Sequence, residues 1–246
     1  MTETLVLTLG SLAAAVISGA TGFGFALVAT ALWSLALEPR LVTVLALVFT
    51  TALNLAYLPL FWRDIDLRRL APFALGAAAG VPLGALALSL APTGLLRLWV
   101  GGLLLTYGAF MLLRRAPQTL PYWLRAPRVA RLADTVVGFA GGFFGGLGGL
   151  SGFLPALWCS LRGWDKNSNR ALVQAYILVA NGFSLLWVNQ LVGIDERAQG
   201  LLLLGLPFVA LGGWLGLKLF ARLNTAAFNR AVLWVIAGSG AVLLLR

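Results

Sequence analysis

Hydrophobic residues along this chain collect into eight long runs, roughly 5–37, 41–62, 70–92, 94–113, 132–161, 171–192, 199–220 and 226–245, separated by short charged patches. Six of the runs are close to the ~20 residues that a helix rising 1.5 Å per residue needs to cross hydrocarbon. The first and fifth, at about 33 and 30 residues, make straight helices of about 45–50 Å, too long for one comfortable span. Each of these two carries a glycine cluster near its midpoint, SGATGFGF at 18–25 and GGLGGLSGF at 145–153. Glycine is among the poorest helix formers, and Pro155 removes a backbone donor just after the second cluster. The pattern predicts an all-α polytopic membrane protein in which both long helices open at their glycines and bend.

Composition agrees with the membrane reading: of 246 residues, 60% are apolar and 11% charged. The first run lacks a basic leader region and a small-residue cleavage site, so it reads as a retained segment. A single cysteine, Cys159, and no histidine leave neither a disulfide framework within the chain nor the usual metal ligands, so no metal and no cofactor is expected. The net charge of +10 does not form a basic face for nucleic acid, because its cations stand at the ends of the apolar runs. They serve instead as topology markers. If every run crosses once, the two sides carry 10 and 8 of the 18 Lys and Arg, which is no bias. If runs one and five each return to the side they entered, one side holds 14 and the other only Arg40, Arg97, Arg197 and Arg246. The positive-inside rule favours the second arrangement and puts both termini outside the cytoplasm.

The chain also resembles itself. PTGLLRLWVGGLLLTYGAFMLLR (92–114) aligns without a gap on NTAAFNRAVLWVIAGSGAVLLLR (224–246), and at the same offset Gly80 and Gly84 fall on Gly212 and Gly216. Each half reads as a long glycine-rich segment followed by three spans. The bent arrangement starts the second half on the opposite side of the membrane, so residues 1–115 and 132–246 are expected to be inverted repeats. An Arg- and Pro-rich cytoplasmic connector, 116–131, joins them. Gly76, Gly80 and Gly84, like Gly212 and Gly216, recur every four residues and predict a flat face for close helix packing.

An opened helix inside a bilayer must line a cavity or lie buried in protein, and the N-terminus of a half-helix there attracts anions. Tight packing alone does not require eight glycines between 138 and 152. Ser18, Thr21, Gly22 and Gly24 in the first cluster, and Gly148, Gly149 and Ser151 in the second, are therefore candidate substrate-binding residues. The neutral Asn54, Gln174 and Asn181, polar positions within spans, either complete such a site or bridge helices. Arg162 and Lys166, just beyond the second cluster, are candidate entrance residues that draw anions from the cytoplasm. No acidic residue lies mid-span to relay protons. Enzyme readings fail on chemistry: Gly149-Leu150-Ser151-Gly152 matches the GxSG of rhomboid intramembrane proteases, but without histidine that serine has no such base. The competing reading is a scaffold or accessory subunit that transports nothing.

SGATGFGFALVATALW and GGLGGLSGFLPALW, at corresponding places in two similar halves, resemble the two glycine-rich motifs of the TauE/SafE sulfite exporter-like permeases. LWCSLRGWDKNSNRALVQ (157–174) is similar to a version found in a subset of them. The resemblance spans nearly the whole chain. It implies transport of a small anion, often a sulfur-containing one such as sulfite, a sulfonate or thiosulfate, across the bacterial cytoplasmic membrane. Many members have a nearly unbroken glycine run ending in proline as their second motif. Here Leu150 and Ser151 interrupt it, which makes Ser151 an expected extra donor to the substrate.

Overall fold

The computed structural model describes residues 2–113, 126–162, 164–220 and 225–245, so most of the expected connector 116–131 lies outside the described residues. Within them every regular element is helical, the long ones being α1 (Thr2–Thr21), α2 (Phe25–Trp33), α3 (Pro39–Phe61), α4 (Leu67–Leu90), α5 (Thr93–Leu113), α6 (Pro127–Gly148), α7 (Phe153–Leu161), α8 (Lys166–Leu191), α9 (Glu196–Phe220) and α10 (Thr225–Leu244). Six of these, α1, α3, α4, α5, α8 and α9, are long and apolar enough to cross a membrane. Each overlong run is divided in two at its glycines, the first into α1 and α2, the fifth into α6 and α7. Helix α8 begins five residues before the apolar run at 171. The cause is an N-cap at Asp165, whose Oδ1 accepts from the Asn167 and Ser168 backbone N–H groups at 3.1 and 3.0 Å. Hydrogen bonds from Ser168, with that from Asn167, hold this exposed carboxyl below the usual carboxylate range.

The helices form two compact units, each drawing on both halves of the sequence. One comprises residues 1–49, 90–115 and 194–246, the other 50–89 and 116–193. In the first unit α1 packs along α9. A Cβ on Gly212 would stand 2.5 Å from the Leu12 carbonyl oxygen, one on Gly216 would fall on that of Val16, and one on Gly19 would lie 2.7 Å from that of Gly213. Residue numbers on the two helices rise together, so α1 and α9 run parallel. Helices α5 and α10 also pack through small residues, Gly101 against Gly240, Leu243 and Leu244, and Gly108 against Ala237. There one set of numbers rises as the other falls, and the pair is antiparallel.

In the second unit the stripe Gly76, Gly80, Gly84 of α4 meets a matching stripe Gly138, Gly142, Gly146 of α6. A Cβ on the first three would fall on the carbonyl oxygens of Thr135, Phe139 and Phe143, and one on Gly138 or Gly146 on those of Phe73 or Val81. Numbers rise together again, so α4 and α6 are parallel. Helices α7 and α8 complete this packing, with the Tyr176 hydroxyl donating to the Gly138 carbonyl at 2.7 Å and its ring edge-on to Phe73.

Candidate functional site

Helix α6 ends because Gly149 takes a left-handed conformation, φ 70°. Its N–H returns to the Gly145 carbonyl at 2.8 Å, the 5→1 bond of an αL stop, and that of Leu150 reaches back to Phe144 at 3.1 Å. Four residues later α7 starts behind Gly152. The first break has the same outline: Gly22 (φ 82°) and Gly24 (φ 98°) are both left-handed, and α2 starts behind Gly24. Both short helices have nine residues and begin with Phe. Helical geometry leaves their first-turn N–H groups without intrahelical acceptors, aimed into the break.

The surroundings of the two breaks differ. Around the first, α2 is almost wholly buried, and Phe25, Trp33 and Phe49 pack edge to face with ring centres 5.8–6.2 Å apart. Trp33 Nε1 donates to the Leu7 carbonyl at 3.3 Å. Ser11 and Ser18 are buried on α1 and Thr30 on α2, and the hydroxyls of Ser11 and Thr30 have no protein partner. The Thr21 side chain lies outside the described residues.

Around the second break the lining is polar. Ser151 Oγ donates to Asn181 Oδ1 at 2.7 Å. A Cβ on Gly145 would stand 3.0 Å from Ser151 Cβ and 3.4 Å from Ser184 Oγ, so Ser184 also faces the last turn of α6. Gln174, Asn181 and Ser184 recur at seven- and three-residue spacing on one face of α8, and all three are 0% exposed. Both amide atoms of Gln174, the Nδ2 of Asn181 and the Oγ of Ser184 have no protein partner. A buried unpaired polar group costs roughly 1–3 kcal/mol, so several on one helix face mark a place built for something other than packing. Asn54, on α3, donates Nδ2 to the Thr50 carbonyl at 2.8 Å and leaves its Oδ1 unpartnered. Ser184 belongs with the candidates for this site; its sequence signal was its i+10 position from Gln174 on a polar helical face.

Arg162, expected as an entrance cation, closes the far end of α7. Its Nη1 lies 3.5 Å from Asp134 Oδ1, and Trp158 Nε1 donates to the same oxygen at 2.6 Å. Asp134 sits near the start of α6, 5% exposed. The guanidiniums of Arg162 and Arg69 each stand 5.0 Å from the centre of the Trp164 ring. The Lys166 side chain lies outside the described residues. Among the described residues no group of His, Cys, Asp and Glu is gathered as metal ligands would be.

The family model for sulfite exporter TauE/SafE matches residues 7–243. No curated protein and no solved structure matches the chain. A family match that runs from the second turn of α1 to the last turn of α10 takes in both glycine breaks and every long apolar helix, and by it this chain belongs to the TauE/SafE family, membrane transporters of sulfur-containing anions.

Proposed function

We propose that the protein is a permease for a small sulfur-containing oxyanion of the sulfite, sulfonate or thiosulfate class, and that it binds this anion at the second glycine break. One observation carries the reading: Gln174, Asn181 and Ser184 are fully buried, face the α6–α7 side of α8 and keep polar atoms without protein partners. Donors of this kind, with the first turn of α7, suit an oxyanion that has shed its water. The first break, with Ser18, Thr21, Gly22 and Gly24, offers a second N-terminal turn in a more aromatic setting. Arg162 and Lys166 attract anions to the cytoplasmic end. Pairing with Asp134 reduces the field of Arg162, and Arg69 beside the same tryptophan adds to it.

Helix directions support the inverted architecture. If each of the eight apolar runs crossed once, α5 and α10, the fourth and eighth, would run the same way; they are antiparallel. Letting one long run return while the other crosses would set α1 against α9, yet those two are parallel. All three observed directions agree with an arrangement in which both long runs return to the side they entered. Within the second run, Gly145 neighbours Ser151, Gly141 neighbours Pro155 and Asp134 pairs with Arg162, so numbers on α6 fall as those on α7 rise, as in a hairpin. The repeats are then inverted, and both termini lie outside the cytoplasm. A fluorescent reporter that matures only in the cytoplasm, fused after Arg246, is expected to stay dark; a bright fusion overturns this topology.

Transport is tested by counterflow of labelled sulfite, thiosulfate and taurine in proteoliposomes. Wild-type protein is expected to exchange at least one of them. Gly149→Val places a β-branched residue at a left-handed position, and Gly148→Val crowds the same turn. Either is expected to abolish exchange while membrane insertion persists. Exchange retained in both variants counts against a site at the break.

A further inference from the structure

The two breaks are not copies of each other. Between α1 and α2 the connector is Gly22-Phe23-Gly24; between α6 and α7 it is Gly149-Leu150-Ser151-Gly152. The left-handed glycine opens both, the glycine before Phe closes both, and Phe23 corresponds to Leu150. Ser151 is the residue left over. It is 1% exposed, and its hydroxyl proton points at Asn181 Oδ1, 2.7 Å away, rather than into an open position.

An asparagine amide presents an acceptor and a two-proton donor from one planar carbon, and rotation of the last torsion by half a turn exchanges them. Ser151 biases that choice, because its hydroxyl donates here and makes no other bond that would favour the flipped amide. With that proton given to Oδ1, one of its two lone pairs is taken, and Nδ2, held beside the same connector by covalent geometry, makes no bond within the protein. We propose that Ser151 is a positioning and specificity-determining residue. It orients Asn181 so that Nδ2 is the group presented at the second break, which favours oxyanions over ligands that must donate there. The residue the sequence suggested as a direct donor to substrate thus acts through its neighbour, one helix away. This rests on the binding site proposed above.

The test is thermal stabilisation of the purified protein in detergent by sulfite, thiosulfate and taurine, titrated to give a dissociation constant for wild type, Ser151→Ala, Ser151→Thr, Asn181→Ala and the double variant Ser151→Ala/Asn181→Ala. For the anion that stabilises wild type, Ser151→Ala is expected to weaken binding about five- to tenfold, the scale of one hydrogen bond. Ser151→Thr, which keeps the hydroxyl, restores it. The double variant binds no worse than Asn181→Ala, because Ser151 has nothing left to orient. Wild-type affinity in Ser151→Ala, or losses that add in the double variant, overturns the role of Ser151 while leaving the site standing. Wild type stabilised by none of the three anions overturns the site itself and this inference with it. A Ser151→Ala protein whose ligand-free melting temperature falls while its affinity holds shows a purely structural serine and also overturns the proposal.

Discussion

Gly80→Leu is expected to eliminate folded protein from the membrane fraction, whereas Gly102→Leu is expected to leave it near wild type. Both glycines sit inside long apolar helices, and leucine is the better helix former at either place. Their neighbours decide the outcome. A Cβ on Gly80 would fall on the Phe139 carbonyl oxygen, with Phe143 N at 2.9 Å, and both are backbone atoms of α6. Side chains can rotate away from an intruder, but a helix backbone can only translate. Translation separates the whole interface, in which Gly76, Gly84, Gly138, Gly142 and Gly146 all lie against backbone. The loss exceeds about 3 kcal/mol, beyond ordinary overpacking. Gly102 has nothing within 4 Å of its Cβ position and faces outward. Detergent-solubilised yield and size-exclusion profile read the difference. A monodisperse Gly80→Leu protein at wild-type yield would contradict the interlocked stripes.

Arg162→Ala is expected to lower stability by roughly 3–5 kcal/mol, the scale for removing one partner of a buried ion pair. It strands the Asp134 carboxylate, whose side chain is 7% exposed and whose remaining bond is from Trp158 Nε1. Asp134→Asn should cost less, since the amide oxygen still accepts from Trp158 and Arg162, at 18% exposure, can turn toward Trp164 and water. The double variant Asp134→Leu/Arg162→Leu is expected to recover most of the loss, because no charge is then left buried. Thermal unfolding in detergent measures all three. Equal effects in Arg162→Ala and the double variant would mean that the pair contributes little beyond its separate contacts.

These two interfaces mark what could and could not be read from sequence. The breaks were legible because two physical signals coincided: runs too long for the bilayer, and glycines at their centres. The stripes on α4 and α9 were legible as packing faces because a four-residue period puts small residues on one side of a helix. What they pack against was not. Periodicity identifies a face without identifying its partner, and α4 turns out to pack on α6 of the other half, as α9 packs on α1. The sequence offered Arg162 as an entrance charge but not its pairing, because Asp134 is 28 positions away on the other side of the break. The sequence named Ser151 as a donor but could not show its partner within the protein, since the acceptor of its proton lies on a different helix. Residue type and location were visible in the sequence. The direction of each hydrogen bond was not.

The parallel pairing of α1 with α9 also sets a schedule for biosynthesis. The cover for α1 is encoded roughly 175 residues after α1 ends, between Thr21 and Glu196. At about 5–20 residues per second, the ribosome needs on the order of 10–35 s to deliver it. Throughout that interval the face of α1 that Gly212 and Gly216 later cover lacks its partner, and lipid offers no hydrogen bonds to the backbone opened at Gly22. Helix α6 meets its glycine-stripe partner at once, because α4 has already been made. The first half of this protein is therefore the half whose packing is completed last.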